Sequence, residues 1–114
     1  MSTSAAPLAP RSNKGQGTFF TPALGACGFT NKESDLIVAV SAQLFDSAGK
    51  GGNPNKNPLC NKFITAHFKG KSVRAKVVDS CPGCKLNDLD FSPAAFKKLA
   101  SEDLGRIDIT WDFS

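Results

Sequence analysis

A small closed β-barrel carrying one short helix is the fold class this sequence predicts, and three observations carry the prediction. Segments of strand length with alternating apolar and polar residues recur along the chain. Only "SPAAFKKLA" at 92–100 has a convincing helix start. Strands and helices do not alternate in the rhythm that builds a parallel α/β sheet. A chain of 114 residues with 40% hydrophobic content fits one domain around one core. The longest apolar run, "LIVAV" at 36–40, is of strand length and too short to span a bilayer.

Taken in order, "MSTSAAPLAPRSNKGQ" at 1–16 holds a single large aliphatic, Leu8, and reads as a flexible lead-in to a domain over 17–114. It lacks the continuous apolar region of a signal peptide, so the chain reads as either cytosolic or a mature secreted protein without its leader. "GTFF" at 17–20 and "ACGFT" at 26–30 are β-prone, separated by a turn at Pro22 and Gly25. "DLIVAVSAQLFD" at 35–46 begins as a buried strand and closes with a helical turn around Ser41 to Phe45. The Gly-, Asn- and Pro-rich stretch 47–59 reads as a long loop. "KFITAHF" at 62–68 and "SVRAKVV" at 72–78 alternate about Gly70 and predict a β-hairpin. Ser92 and Pro93 start the helix, because the Ser92 hydroxyl can accept from a first-turn amide and Pro93 has no amide to leave unpaired. "GRIDITWDF" at 105–113 sets Ile107, Ile109 and Trp111 on one face of a last strand.

Charge and cysteines narrow the setting. The net charge is +4, and between Asn61 and Val78 lie Lys62, Lys69, Lys71, Arg74, Lys76 and His67 with no acid. Such a stretch can face an anionic polymer, although a solvated strand face is the plainer reading. Four cysteines in a small domain read as two disulfides formed in an oxidising compartment, with three pairings open. A reactive Cys-x-x-Cys needs a helix N-terminus after its first sulfur, but "KLND" follows Cys84. A closed zinc site usually presents two close-spaced pairs, and Cys27 and Cys60 stand alone. Neither a metal nor a cofactor is expected.

The candidate chemistry therefore rests on carboxylates. Asp79 closes the apolar strand "KVVD" and Asp90 stands two residues before a helix cap, so both are expected at element ends, where sites tend to be built. Asp88 reads as an exposed loop acid. Two acids on opposite sides of a sugar can hydrolyse a glycoside, whereas one alone can only hydrogen-bond to it. Phe19, Phe20, Phe29 or Phe91 can offer an apolar face to a pyranose ring, with core packing as the commoner fate of each.

Several blocks, "GTFFTPALGACG", "DLIVAVS", "GKSVRAKVVDSCPGC", "DLDFSPAAFKKLA" and "GRIDITW", stand in an order that resembles the expansins over about residues 15–114. The similarity is greatest to the small fungal single-domain forms called loosenins. The resemblance implies a six-stranded double-psi β-barrel and a secreted, non-hydrolytic protein that loosens polysaccharide networks. "DLDFS" parallels the expansin His-Phe-Asp motif, with Asp88 in place of the His and Leu89 in place of the Phe; Asp90 carries over as the acid shared with family-45 glycoside hydrolases. Asp79 matches a second family aspartate. The hydrolase base falls near Phe20 or Thr21, and neither can take a proton from water. The family's frequent tyrosine at Phe20 is missing, and the chain has no Tyr at all. The resemblance also implies Cys27–Cys60 and Cys81–Cys84 bonds.

Three classes of function follow. The leading one is a secreted cell-wall loosening protein that holds cellulose, chitin or a related glycan in an open groove. In that reading Asp90 and Asp79 are the functional acids, and Thr18, Phe20, Thr21, Ser80 and Pro82 line the groove. The others are a glycan-cleaving enzyme of lytic-transglycosylase type, as in rare lipoprotein A, and a protease-inhibitor or defence module. No nucleic-acid partner, membrane association or oligomer is expected.

Overall fold

A computed structural model describes residues 12–50 and 52–114. Six strands close into a barrel: β1 (Asn13–Phe19), β2 (Ile37–Ser41), β3 (Phe63–Phe68), β4 (Lys71–Cys81), β5 (Leu89–Phe91) and β6 (Ile107–Phe113). Around the barrel they run β1-β5-β2-β4-β3-β6, and β6 pairs back onto β1. The β1/β5 and β2/β4 pairs are parallel and the rest antiparallel. Closure leaves no free sheet edge among the described residues. Two helices, α1 (Ala42–Gly49) and α2 (Pro93–Lys97), pack against the strands.

Alternation fills the interior. Val38 and Val40, Ile64 and Ala66, Val73, Ala75 and Val77, Leu89 and Phe91, and Ile107, Ile109 and Trp111 all join one core cluster. Trp111, Phe91, Phe96 and Ile64 are among its largest fully buried side chains. Each such side chain contributes about 1.5–3 kcal/mol by leaving water. The Trp111 indole nitrogen donates to the Asn87 carbonyl at 2.9 Å, so the one polar atom of that ring is satisfied.

Local rules account for several elements. Lys69 and Gly70 both have positive φ, 47° and 83°, the two-residue turn whose twist matches a hairpin, and β3 and β4 pair from Phe68↔Lys71 upward. The Ser92 hydroxyl accepts from the Ala95 amide at 3.3 Å and Pro93 takes the first helical position. Ser41 caps α1 by accepting from the Leu44 amide at 3.1 Å.

Three expectations change. The strand β1 begins at Asn13, inside the stretch read as a lead-in; residues 1–11 of that stretch lie outside the described residues. Ahead of Phe19 its inward positions are Gly15 and Gly17, which leave no apolar signal. Glycine is required there, since a Cβ on Gly15 would strike the Asn87 carbonyl and one on Gly17 would sit 2.9 Å from the Phe91 ring. The segment 26–30 is a turn with one bridge, Leu24↔Thr30, rather than a strand. It docks on β4 instead, with the Cys27 amide donating to the Val78 carbonyl at 3.1 Å. The long loop read over 47–59 is partly helical: α1 runs to Gly49, and a short 3-10 turn covers Pro54–Lys56. Buried Asn57 pins what remains, donating to the Phe45 carbonyl at 2.7 Å and accepting from the Leu59 amide at 2.8 Å.

Candidate functional site

Four adjacent strands bring three partly exposed polar side chains, Thr18, Asp90 and Asp79, to the barrel's outer face around buried Ala39. Thr18 on β1 pairs with Asp90 on β5, Asp90 with Ala39 on β2, and Ala39 with Asp79 on β4. Paired residues share a sheet face, so both aspartates flank Ala39, two inter-strand steps or about 9.5 Å apart at the backbone.

Asp79 reaches that face through a bulge. Val73, Ala75 and Val77 point inward, so unbroken alternation would turn Asp79 into the core as well. The register shifts between Val38↔Val77 and Ala39↔Asp79, Val78 is the extra residue, and Asp79 emerges beside Ala39. Asp79 therefore lies within β4, which continues to Cys81, and does not close it. Its Oδ1 accepts from the amides of Ala26 and Ser80, both at 2.8 Å. Gly25 permits this approach, since a Cβ there would lie 2.6 Å from the Val78 carbonyl oxygen and 3.1 Å from the Asp79 side chain.

Asp90 is held differently. The Thr18 hydroxyl donates to its Oδ1 at 2.7 Å. Burial pushes its carboxyl above the ordinary range; the Thr18 hydrogen bond and the Arg106 guanidinium oppose that shift, and the Asp79 carboxylate adds to it.

Asp88 corrects the sequence reading. It is 8% exposed rather than a free loop acid. Its Oδ1 accepts from the Gln16 amide at 2.9 Å and its Oδ2 from the Lys85 amide at 3.1 Å. The carboxylate thus ties the loop ahead of β5 to β1 and fixes the position of Asp90 two residues on. Phe91 is fully buried and offers no face to a sugar, while the Phe19 ring packs on Phe96 at 4.8 Å between centroids. Phe20 is half-buried, its amide donating to the Phe91 carbonyl at 2.9 Å, and Thr21 is exposed beyond the end of β1. Ser80 follows Asp79 on β4, and Pro82 is exposed in the turn after it. Ala39, the Val78 bulge, Gln16 and Arg106 escaped sequence reasoning, because each matters only through register.

Two disulfides frame the row: Cys27–Cys60 holds the segment that presents the Ala26 amide, and Cys81–Cys84 closes the turn after β4. These are the pairs the expansin resemblance implies. Among the described residues no cluster of His, Cys, Asp and Glu is arranged to hold a metal, and no helix is long and apolar enough to cross a membrane.

A closed six-stranded mixed barrel with an outward, fixed pair of carboxylates defines the class of this protein: it is a double-psi β-barrel. Residues 37–111 match the family described as lytic transglycolase, and the chain belongs to that family. It is 37% identical over 103 residues to a papain inhibitor of Streptomyces mobaraensis, covering 87% of this chain and 69% of that protein. A solved Streptomyces papain inhibitor superposes with a TM-score of 0.82 at 36% identity, over 90% of this chain and 94% of that one. An EG45-like domain containing protein of Citrus jambhiri is 30% identical over 115 residues, covering 88% of this chain and 80% of the relative. An expansin of Clavibacter michiganensis, solved as a point mutant in complex with cellohexaose, shares the fold with a TM-score of 0.74 at 24% identity. That match spans 90% of this chain and 50% of the expansin's.

Proposed function

We propose that this is a secreted, expansin-like protein of the loosenin kind that binds a β-glucan chain such as cellulose or chitin along the outward row and loosens its contacts with neighbouring chains without cutting it. The observation that carries the reading is the fixed pair, Asp90 held by Thr18 and Asp79 held by the Ala26 and Ser80 amides, flanking the small side chain of Ala39. Partly exposed polar groups held in place in this way bind a hydroxyl-rich ligand with little further loss of side-chain entropy. Each hydrogen bond to sugar is worth about 1 kcal/mol net. Several of them, competing with inter-chain contacts, shift a local equilibrium in favour of separated chains.

Hydrolysis by two carboxyl groups requires them on opposite sides of the scissile bond. Asp79 and Asp90 lie on one sheet face, and one oxygen of Asp79 is committed to backbone amides. Phe20 and Thr21, where the resemblance puts the hydrolase base, have no side chain that serves as one at neutral pH. The experiment incubates filter paper and chitin with the protein and measures mechanical weakening alongside released sugar ends. Weakening without release, lost in Asp90→Asn, is the expected outcome.

Two further readings have a specific observation each. The raised Asp90 carboxyl suits a proton donor, which a glycan-cleaving enzyme of the kind named in the family's description would use; soluble products that accumulate with time and vanish in Asp90→Asn would establish it. The papain inhibitor relative favours a protease-binding module, and an inhibition assay against papain tests that directly.

A further inference from the structure

A hollow of about 810 Å³ lies beside the acidic row, on the β1–β6–β3 side of the barrel. Lys14, Lys69 and Arg106 stand at it with His67, against a single acid, Asp108. None of the three cations makes an ion pair among the described residues, where the salt bridge present joins Lys97 to Glu102. Asp108 is already engaged, its Oδ1 accepting from the Gln16 side-chain nitrogen Nε2 at 3.1 Å, and Arg106 donates to Gln16 Oε1 at 3.0 Å. The hollow is therefore net cationic and has hydrogen-bonding groups fixed in its wall. Apolar surface from Leu104 and Phe68 completes it.

Geometry links this hollow to the aspartates. Lys14, Gln16 and Thr18 follow one another at every second position of β1 and so face the same way. Thr18 holds Asp90, Gln16 holds Arg106, and the Arg106 charge is felt at Asp90. From Thr18 to Lys14 is about 13 Å along the strand, within the span of a short oligosaccharide.

We infer that this hollow is a carboxylate-recognising subsite of the same groove, so that the preferred ligand is an acidic, uronate-bearing glycan rather than a neutral one. The inference rests on the polysaccharide reading above. A pyranose carries an apolar C–H face for exposed Leu104, hydroxyls for Gln16 and Asp108, and, as a uronate, a carboxylate for Lys14, Arg106 and Lys69, whose ammonium stands 5.4 Å from the Phe68 ring centroid. A small inorganic anion would use only the charges, and these ring a space far larger than such an ion.

The test measures binding of the full chain, at low and physiological salt, to oligogalacturonate and to a neutral cello-oligosaccharide of equal length. Lys14→Gln combined with Lys69→Asn, the asparagine chosen because Lys69 has positive φ, is expected to weaken uronate binding roughly five- to tenfold and neutral binding by less than about twofold. Lys62→Gln with Lys98→Gln removes the same charge away from the hollow and is expected to do neither. Asp90→Asn is expected to weaken both ligands, as one continuous groove requires. The inference is overturned if the two lysine pairs behave alike, or if polyglutamate or single-stranded DNA competes as well as the uronate. It is also overturned if Asp90→Asn spares the uronate while abolishing the neutral ligand. Binding of neither glycan would instead bring down the polysaccharide reading with it, an outcome distinct from neutral binding without a uronate preference.

Discussion

The two ends of strand β4 treat their polar side chains in opposite ways. At its start, in the hairpin with β3, cations lie over aromatic rings: the Arg74 guanidinium sits 4.0 Å from the Phe63 centroid and the Lys76 ammonium 5.1 Å from that of Phe29. Among the described residues these cations are held by the ring face and, for Arg74, by the Ser114 hydroxyl at 3.3 Å. At its far end, Asp79 is anchored by two backbone amides, and its neighbours Asp90 and Asp88 are anchored by a hydroxyl and by two more amides. On this face of the hairpin, loosely held charge keeps the strand solvated. Charge held by several directed bonds at a partly open surface costs desolvation and conformational freedom, and that cost is the physical mark of a site.

Mutations can break or sharpen this contrast. The largest effect is expected from removing the Cys27–Cys60 bond, which closes a 33-residue separation and tethers the segment that presents the Ala26 amide to Asp79. Cys27→Ser with Cys60→Ser should cost roughly 3.5–4 kcal/mol of stability in the chain-entropy account, measured by denaturant melts without reductant. Glycan binding should fall with it. Cys81→Ser with Cys84→Ser, opening a ring only three residues apart in sequence, should cost much less.

Asp88→Ala comes next. It strips the acceptor from the Gln16 and Lys85 amides and should lower stability by about 1–3 kcal/mol in a thermal melt. A change within about 0.5 kcal/mol would return Asp88 to the exposed loop acid its sequence position suggests. On the loosely held side, Arg74→Gln should cost only about 0.5–1 kcal/mol, the range of an exposed cation–π contact.

Asp90→Asn is expected to be the mildest in stability, and its sign depends on pH. The folded-state pKa of Asp90 is raised mainly by burial, so the folded protein holds that proton more tightly than the unfolded chain. Its contribution is fully present below the unfolded value of about 3.9 and is lost as pH rises through the folded value. The variant, uncharged at every pH, should therefore melt at or above the wild type at pH 7, and the two should converge near pH 3. A clear loss of stability at pH 7 would make Asp90 a structural residue.

The sequence by itself determined what depends on neighbours a few positions away. Period-two alternation was enough for the β3–β4 hairpin and for β6; Ser92 with Pro93 marked the start of α2, and Ser41 stood at the strand-to-helix change. The even cysteine count pointed to two disulfides, but their pairing needed the family resemblance. Tertiary structure alone decided the rest. Asn13–Gln16 became a strand because β6 supplied its hydrogen bonds and Asn87 and Phe91 filled the space beside its glycines. Asp79 faced outward only because one extra residue, Val78, shifted the β2–β4 register. Asp88 was buried because amides from two separate segments converged on it. The site is a row across four strands whose members are distant in sequence. Alternation, caps and turn chemistry act within a turn or a strand, whereas the register between strands is set by closure of the whole barrel around its core, so no local rule could align Thr18, Asp90, Ala39 and Asp79.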